Sequence, residues 1–363
     1  MYLGTSFADA TLYGNIDQTY NTTKTTKGSA VTVQNTNISA YQMGQSFLGV
    51  KGEEDLSNGL KASYLYEFGL ATDTTAAPTN RQSYVGLSGG FGALRIGKQY
   101  SNAFMNTVGA DPAGATGGAG ALYLAALTGY NGTEAPLRQD KGIQYDLPNF
   151  VPGLTIGITK VFGNANSATT ATAVDANGTS TNSGTNGVKS GDGQGFNIGY
   201  SLGGLHAGFT SDTVTNTGIA LGTTTYDQSG LISNITIANT IVAASSEKNK
   251  LTTLALSYDL GMAKPSYSNV KMSVGSQSIQ ANMFAVSVPL GAATVFLSTS
   301  SGKIDLTGTT SDMKAEGVQY GVNYALSKRT VAYWHAGNST LTTNSTGVAT
   351  KTTGFGLGVH HSF

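Results

Sequence analysis

The chain has 363 residues, of which only 11% are charged, and its 20 Lys and Arg balance its 20 Asp and Glu. This neutrality argues against a nucleic-acid binder, which needs a surplus of basic residues to displace counterions. The absence of Cys excludes disulfide scaffolds and thiolate sites, and 7 Pro beside 18 Tyr and 13 Phe exclude collagen and proline-rich disorder.

Hydropathy excludes a helical membrane protein as well. The mean hydropathy is −0.09, and the longest apolar stretch, near Ala119–Leu127, is shorter than the roughly 18–20 residues that a spanning helix requires. A chain this rich in Gly, Thr, Asn and Tyr fits two classes. One is an array of extracellular β-sandwiches, and the other is a transmembrane β-barrel with a polar lumen.

Five segments, taken in chain order, alternate between apolar and small or polar residues. In the first, Tyr64, Tyr66 and Phe68 fall on one face, and Lys61 and Glu67 fall on the other. Successive side chains of a strand point to opposite sides, so this alternation predicts strands with one apolar face. The segments are Leu60–Leu70, Gly195–Leu202, Thr252–Leu260, Gly317–Leu326 and Lys351–Phe363.

The connections between strands alternate in length. Short turns are predicted at Asp55–Gly59, Gly89–Gly92, Pro148–Gly153, Gly203–Gly204, Gly261–Ala263, Leu290–Gly291 and Ser327–Arg329. Longer polar loops are predicted at Asn21–Ala40, Ala71–Asn80, Asn102–Gln139, Asn164–Asp192, Asn216–Lys248, Gly275–Ser278, Ile304–Ala315 and Leu341–Thr350. Seven turns and eight loops make fifteen connections, which predict sixteen strands.

This arrangement favours one closed domain over residues 1–363. Short links at one end and long ones at the other are typical of an outer-membrane barrel with short periplasmic turns and long external loops. Tandem sandwiches would repeat about every 100 residues, and no such repeat is present. The sequence therefore predicts an all-β, 16-stranded antiparallel transmembrane barrel, whose interior is wide enough to hold water.

Several stretches resemble the general porins of Gram-negative outer membranes, closest to the β-proteobacterial trimeric type. They are TLYGNID (Thr11–Asp17), GVKGEEDLSNGL (Gly49–Leu60), RQSYVGLSGGFG (Arg81–Gly92), IQYDLPNF (Ile143–Phe150), NYALSKRT (Asn323–Thr330) and GVHHSF (Gly358–Phe363). The resemblance implies a homotrimer in the outer membrane, in contact with lipid and lipopolysaccharide. It also implies passive diffusion of small hydrophilic solutes and ions, and a third loop folded into the barrel. The terminal Phe363 would be the signal for the barrel assembly machinery, and an export leader would have been removed.

The loop Asn102–Gln139, between predicted strands five and six, corresponds to the constriction loop of this family. A structureless loop of this length inside a compact domain needs a functional reason. Folding into the lumen supplies that reason, because a wide channel selects ions at its narrowest ring.

Candidate constriction residues follow from the same resemblance. Arg81 and Arg138 match wall arginines of the family, Lys51 and Lys98 fall where it often carries basic residues, and Glu67 is a lumen-facing acid. The alternative for each basic residue is a rim charge. Arg95 and Lys98 are three positions apart, so both can face the lumen only across a bulge, and the sequence leaves open which of them does.

Two departures from the family bear on selectivity. Phe47 stands where the family usually has another wall arginine, and Asp111 is the only carboxylate in the loop before Glu134. Asp111 precedes Pro112, so it is read equally as a pore residue or as the start of a turn. With wall arginines kept and loop acids few, we predict a weak anion preference.

Other functions receive less support. His360 and His361 are adjacent and face opposite sides of a strand, and no nucleophile or phosphate-binding motif is present, so we expect no enzyme, metal site or cofactor. The acidic clusters Glu53–Asp55 and Asp312–Glu316 are read as solvated turns in preference to Ca²⁺ sites. Two alternatives stay open: a substrate-specific channel, which needs a ladder of aromatic or like-charged residues, and a cell-surface β-rich adhesin.

Overall fold

The structure is a computed structural model that describes residues 10–39, 43–72, 74–113, 138–163, 173–174, 180–181, 192–215, 248–274, 277–305, 312–344 and 346–363. Most of these residues lie in antiparallel strands, and one short helix, α1 (Asn102–Val108), follows the sixth strand. No helical segment within the described ranges is long and apolar enough to span a membrane.

Nineteen strands are present in the described ranges. They are β1 (Thr11–Lys27), β2 (Ala30–Ser39), β3 (Phe47–Asp55), β4 (Lys61–Gly69), β5 (Thr79–Gly89), β6 (Gly92–Tyr100), β7 (Arg138–Asp146), β8 (Leu154–Val161), β9 (Ala173–Val174), β10 (Ser180–Thr181), β11 (Gly193–Leu202), β12 (Leu205–Thr215), β13 (Lys248–Tyr258), β14 (Lys264–Val274), β15 (Gln277–Leu290), β16 (Ala293–Asp305), β17 (Met313–Ala325), β18 (Thr330–Thr343) and β19 (Ala349–Ser362).

Seventeen of these strands form one closed sheet with sixteen positions around the barrel. β2 and β3 pair in turn with different parts of β1, so together they fill a single position. The short strands β9 and β10 pair only with each other. The sheet closes where β1 meets β19, in a continuous register from Asn15↔Ser362 to Lys27↔Thr350. The prediction of a closed 16-stranded antiparallel barrel is confirmed, and tandem sandwiches, the architecture expected of the adhesin, are ruled out.

The barrel places polar side chains inside and apolar ones outside. In β1 the side chains of Asp17 and Thr19 are buried, whereas Leu12, Ile16 and Tyr20 on the alternate positions are exposed. A closed ladder also pairs the backbone hydrogen-bonding groups of neighbouring strands along the wall, which a lipid-facing surface requires. The outer face is therefore suited to hydrocarbon, and the inner face to water.

The inner face is not polar everywhere. Val270 and Met272 of β14 and Met283 of β15 are at most 2% exposed. Val270 is the ladder partner of Thr253, an inner-wall residue that contacts α1. Sequence alternation assigned the apolar positions to the outside only, so this inner apolar area of β14 and β15 is a feature that it missed.

The first predicted long loop is mostly strand. Residues 21–27 continue β1 and residues 30–39 form β2, which leaves only a tight turn at Gly28, whose φ is 59°. The run of Thr in this region favours extended backbone because its side chains are β-branched. Thr25 and Thr352 also join their hydroxyls at 2.9 Å across the β1–β19 seam.

Candidate functional site on the inner wall

A buried ion pair lies on the inner wall where β4 and β5 meet. Arg81 Nε donates to Glu67 Oε2 at 3.3 Å, and the two side chains are 7% and 6% exposed. The ladder runs from Glu67↔Gln82 directly to Phe68↔Asn80, so Arg81 is the extra residue of a β-bulge. A bulge re-aims a side chain, and here it brings Arg81 and Gln82, which donates to Glu67 at 3.1 Å, onto the same carboxylate.

Arg81 is held on every side of its guanidinium. Besides Glu67, Nη1 donates to Gln45 Oε1 and Nη2 donates to the hydroxyl of Tyr100. The flat face of the guanidinium lies 4.7 Å from the ring centroid of Phe47, a distance suited to cation–π attraction. Its planar fork suits several fixed contacts, so the orientation of this charge is set by the fold.

Phe47, which stands where the resemblance leads us to expect an arginine, is part of the support for Arg81. Its ring meets that of Tyr13 edge-on, with centroids 5.6 Å apart. Tyr13 in turn donates its hydroxyl to Glu67 Oε1 at 2.8 Å. The departure at Phe47 thus removes one cation from the wall and adds an aromatic surface beneath another.

Arg138 and Lys51 join the same group of side chains. Arg138 Nη2 lies 3.5 Å from Gln45 Oε1, and its guanidinium is 5.0 Å from the Tyr100 ring centroid. Lys51 Nζ lies 4.7 Å from the ring centroid of Tyr13. We name this group the wall cluster: Tyr13, Gln45, Phe47, Lys51, Glu67, Arg81, Gln82, Tyr100 and Arg138.

The wall cluster carries a net positive charge. Arg81, Arg138 and Lys51 contribute three positive charges, and Glu67 contributes one negative charge, which leaves +2 among these nine described residues. Glu67 contacts Arg81 directly. The cluster can therefore attract anions, and the field of its buried arginine is partly cancelled at close range.

Arg95 and Lys98 belong to separate ion pairs. Arg95 is the ladder partner of the buried Gln144 and pairs with Asp146, which places it on the inner face. Lys98 follows Gly97, whose φ is 139°, and lies 3.1 Å from Asp140. The structure thus settles that Arg95 faces the lumen, and it does not bring Lys98 into the wall cluster.

The described start of the predicted constriction loop lies inside the barrel. Ser101 caps α1 by accepting from the Phe104 N–H at 3.1 Å. Asn102 donates to Thr159 of β8 at 2.9 Å, and Asn106 donates to Thr253 of β13 at 2.8 Å. The helix therefore follows the inner wall from the end of β6 toward β13, and Phe104 stacks on Tyr100 of the wall cluster at 4.7 Å.

Asp111 forms a turn after this helix. Its Oδ1 accepts from the Ala113 N–H at 2.9 Å, and the side chain is 7% exposed. Both features fit an Asx turn, one of the two roles considered for this residue. Residues 114–137 of the predicted loop, with Glu134, lie outside the described residues.

Phe363 extends the seam of the barrel. Its N–H donates to the Gly14 carbonyl at 3.0 Å, and its own carbonyl accepts from the Gly14 N–H at 3.2 Å. The ring is 40% exposed. A recognition role for this residue stays a prediction.

Sequence reasoning missed Gln45, Tyr13 and Tyr100 as members of the site. Gln45 follows the predicted loop Asn21–Ala40 and carries no charge, and the tyrosines read as ordinary strand residues. Their roles depend on the bulge at Arg81, which no local sequence pattern predicts. Among the described residues, no three His, Asp or Glu side chains are grouped so that they could hold a metal ion.

Comparison with curated proteins yields partial matches to neisserial outer-membrane proteins. The major outer membrane protein P.IB of Neisseria meningitidis is 41% identical over 97 residues, which is 26% of this chain and 29% of that protein. P.IB of Neisseria gonorrhoeae is 45% identical over 94 residues, or 25% of this chain and 26% of that protein. The matched region thus spans less than a third of these relatives.

Comparison with solved structures matches the whole barrel. The anion-selective porin from Comamonas acidovorans superimposes with a TM-score of 0.74 at 22% identity, over 98% of this chain and 100% of that one. OmpF of Salmonella typhi, in complex with daunomycin, gives a TM-score of 0.67 at 15% identity, covering 100% of both chains. These likenesses show the fold.

A sequence model of one family extends over most of the chain. The model described as Gram-negative porin matches residues 4–345. It agrees with the closed barrel, the apolar outer face and the resemblance carried by the motifs. The chain belongs to the Gram-negative porin family, whose place is the outer membrane.

Proposed function

We propose that the chain forms a water-filled channel for passive diffusion of small hydrophilic solutes and ions, with a weak preference for anions. The observation that carries this proposal is the wall cluster on the inner face, with its net charge of +2. Exposed Leu12 and Ile16 on the outer face supply the complementary lipid contact. The role is that of a channel rather than an enzyme.

The preference is weak because the positive charge of Arg81 is partly compensated by Glu67. Arg81 is buried and bonded to Glu67, so its field at a passing ion is reduced. Arg138 and Lys51, each placed over a tyrosine ring, supply the remaining positive charge. A ring with a small positive surplus favours anions without excluding cations. The Comamonas neighbour is named anion-selective, which is consistent with this proposal.

The test is a planar-bilayer recording of the purified protein under a KCl gradient. Stepwise conductance with a reversal potential on the chloride side supports the proposal. A membrane that stays electrically silent contradicts channel formation. A reversal potential on the potassium side contradicts the selectivity and leaves channel formation standing.

The substrate-specific alternative receives little support from the site. The aromatic rings of Tyr13, Phe47, Tyr100 and Phe104 form compact contacts around two arginines. A ladder guiding one solute would run along the lumen instead. We therefore keep general diffusion as the proposed function.

We also propose a homotrimer assembled in contact with lipid and lipopolysaccharide, with Phe363 presented to the barrel assembly machinery. One solved neighbour, OmpT of Vibrio cholerae, is described in a trimer form. The expected result is a heat-modifiable band of about three times the chain mass on a gel. A single band at the monomer mass, before and after heating, contradicts the trimer.

A further inference from the structure

The second barrel position contains an interruption on the side that faces β1. Asn15 of β1 pairs with Phe47, and Thr19 pairs with Ser39. Between these two pairs, residues 16–18 of β1 have no partner in β2 or β3, and the described residues 43–46 leave the β1 ladder.

Asp17 anchors the described part of this excursion, residues 43–46, which we name the inward segment. Its Oδ2 accepts from the N–H groups of Met43 at 2.7 Å and Gly44 at 3.1 Å. The Asp17 N–H donates to Ser46 Oγ at 2.9 Å, and that hydroxyl lies 3.3 Å from the Asp17 carbonyl. A carboxylate that is fully buried and accepts two backbone donors holds its partners firmly.

The other carboxylate oxygen is held from the barrel wall. Tyr333 of β18 donates its hydroxyl to Asp17 Oδ1, and Thr19 Oγ1 lies 3.5 Å from the same oxygen. His360 Nδ1 lies 3.7 Å from Oδ2. Asp17 therefore connects the rigid seam of the barrel to the inward segment.

Gln45 projects from this anchored segment into the wall cluster. Its Oε1 accepts from Arg81 Nη1 and lies 3.5 Å from Arg138 Nη2. Gly69 of β4 leaves room for it, because a Cβ at that position would lie 2.7 Å from Gln45 Nε2. One neutral amide oxygen thus bridges two guanidiniums that would otherwise repel each other.

We propose that the inward segment is a second constriction element, and that Asp17 is the residue that positions it. Gln45 sets selectivity by fixing the spacing of Arg81 and Arg138, and Asp17 fixes Gln45. This inference rests on the proposed channel function. It adds a second constriction, formed by the barrel wall, to the one expected from the third loop.

The first experiment replaces Gln45 and records single channels. Gln45→Ala removes the bridging side chain, so we expect higher conductance in 1 M KCl, where the Debye length of about 3 Å screens distant charges. Gln45→Glu places a carboxylate between the guanidiniums, so we expect the ratio of chloride to potassium permeability to fall about twofold or more. Wild-type values in both variants would overturn the proposal.

The second experiment separates positioning from simple charge removal. Asp17→Ala should raise conductance as Gln45→Ala does, and should add nothing in the Gln45→Ala background. A purely electrostatic effect of Asp17 would instead add to that of Gln45→Ala, and additivity would overturn the positioning role. Asp212→Ala is the control, because it removes a buried inner-wall carboxylate of β12 that makes no contact with the inward segment among the described residues, and Gln45→Ala should still raise conductance in that background.

A third variant keeps the inference testable if Asp17→Ala does not fold. Gly69→Ala leaves the Asp17 anchor intact, but its Cβ would lie 2.7 Å from both Gln45 Nε2 and Thr79 Oγ1, so both side-chain ends must shift. The displaced amide of Gln45 should change conductance in the same direction as Gln45→Ala, whereas the control Thr79→Ala should leave conductance unchanged. An unchanged channel in Gly69→Ala contradicts the inference. Recordings of the wild type distinguish the two proposals. A wild-type protein that does not conduct contradicts the channel function. A conducting wild type whose variants conduct in the same way contradicts only the role of the inward segment.

Discussion

At the scale of single residues, the charge on the inner wall depends on one carboxylate. Glu67 receives hydrogen bonds from Tyr13, Arg81 and Gln82, so it neutralises the most enclosed cation of the wall cluster. The family resemblance located Glu67 and Arg81 but did not pair them. Their pairing follows from the bulge at Arg81, and the bulge exists only in the ladder between β4 and β5.

We predict that Glu67→Gln strengthens the anion preference. The amide cannot offset the Arg81 charge, so the ratio of chloride to potassium permeability should rise about twofold, as measured by reversal potential. Glu53→Gln is the control: it removes the same charge from an exposed pair with Lys61 and should change nothing. Equal behaviour of the two variants would contradict a special role for Glu67.

We predict that neutralising both arginines abolishes the anion preference. In the double variant Arg81→Gln, Arg138→Gln the wall cluster falls from +2 to zero, so the reversal potential should move toward that of an unselective pore. Arg329→Gln, at an exposed turn, serves as the control. Unchanged selectivity in the double variant would remove both arginines from the constriction.

At the scale of elements, α1 depends on a glycine of β12. Asn106 donates to the Gly208 carbonyl at 3.1 Å, and a Cβ on Gly208 would lie 1.8 Å from Asn106 Oδ1. The helix can approach β12 only because this position has no side chain. Isolated helices of this length are unstable, so α1 depends on its contacts with the inner wall.

We predict that Gly208→Ala displaces α1 and alters the channel. Single-channel conductance should change, and current noise should increase, because the helix loses its contact with β12. Gly142→Ala is the matched control on the inner wall, since a Cβ there would meet no atom closer than 3.5 Å. Identical traces from the two variants would show that α1 does not shape the conducting path.

The sequence predicted most elements because alternation is a property of each strand taken alone. Gly317–Leu326 and Lys351–Phe363 overlap β17 and β19 and extend one residue past the end of each. The sequence prediction was wrong for residues 21–39, where the many Thr and Asn residues look like a loop. It also could not find the break between β2 and β3, which depends on the partner Asp17 in another strand.

At the scale of the whole molecule, the barrel reverses the polarity of a soluble protein. Trp334, the single tryptophan, is 36% exposed on the outer face and pairs with Leu357. Tyr320 meets its ring at 5.7 Å on the same face. These aromatic groups are positioned for lipid, and polar His335, the next residue, is buried inside.

We predict that the fluorescence of Trp334 reports lipid contact. In proteoliposomes, a quencher attached to acyl chains should reduce the emission, and iodide in the aqueous phase should not. Tyr333→Trp in a Trp334→Phe background moves the indole to the inner face and is the comparison. Strong iodide quenching of the wild type would place Trp334 in the lumen and contradict the orientation of the barrel.

The seam between β1 and β19 also determines the stage of folding at which the barrel can close. It joins residues near 15 to residues near 362, the greatest separation along the chain of any pair of neighbouring strands. Contacts so distant in sequence form slowly, because their chain entropy is lost before any pairing is gained. The wall cannot close until its final strand is available, so every shorter intermediate exposes two open edges. Such an intermediate needs protection from aggregation until the seam, which ends at the hydrogen bonds between Phe363 and Gly14, has formed.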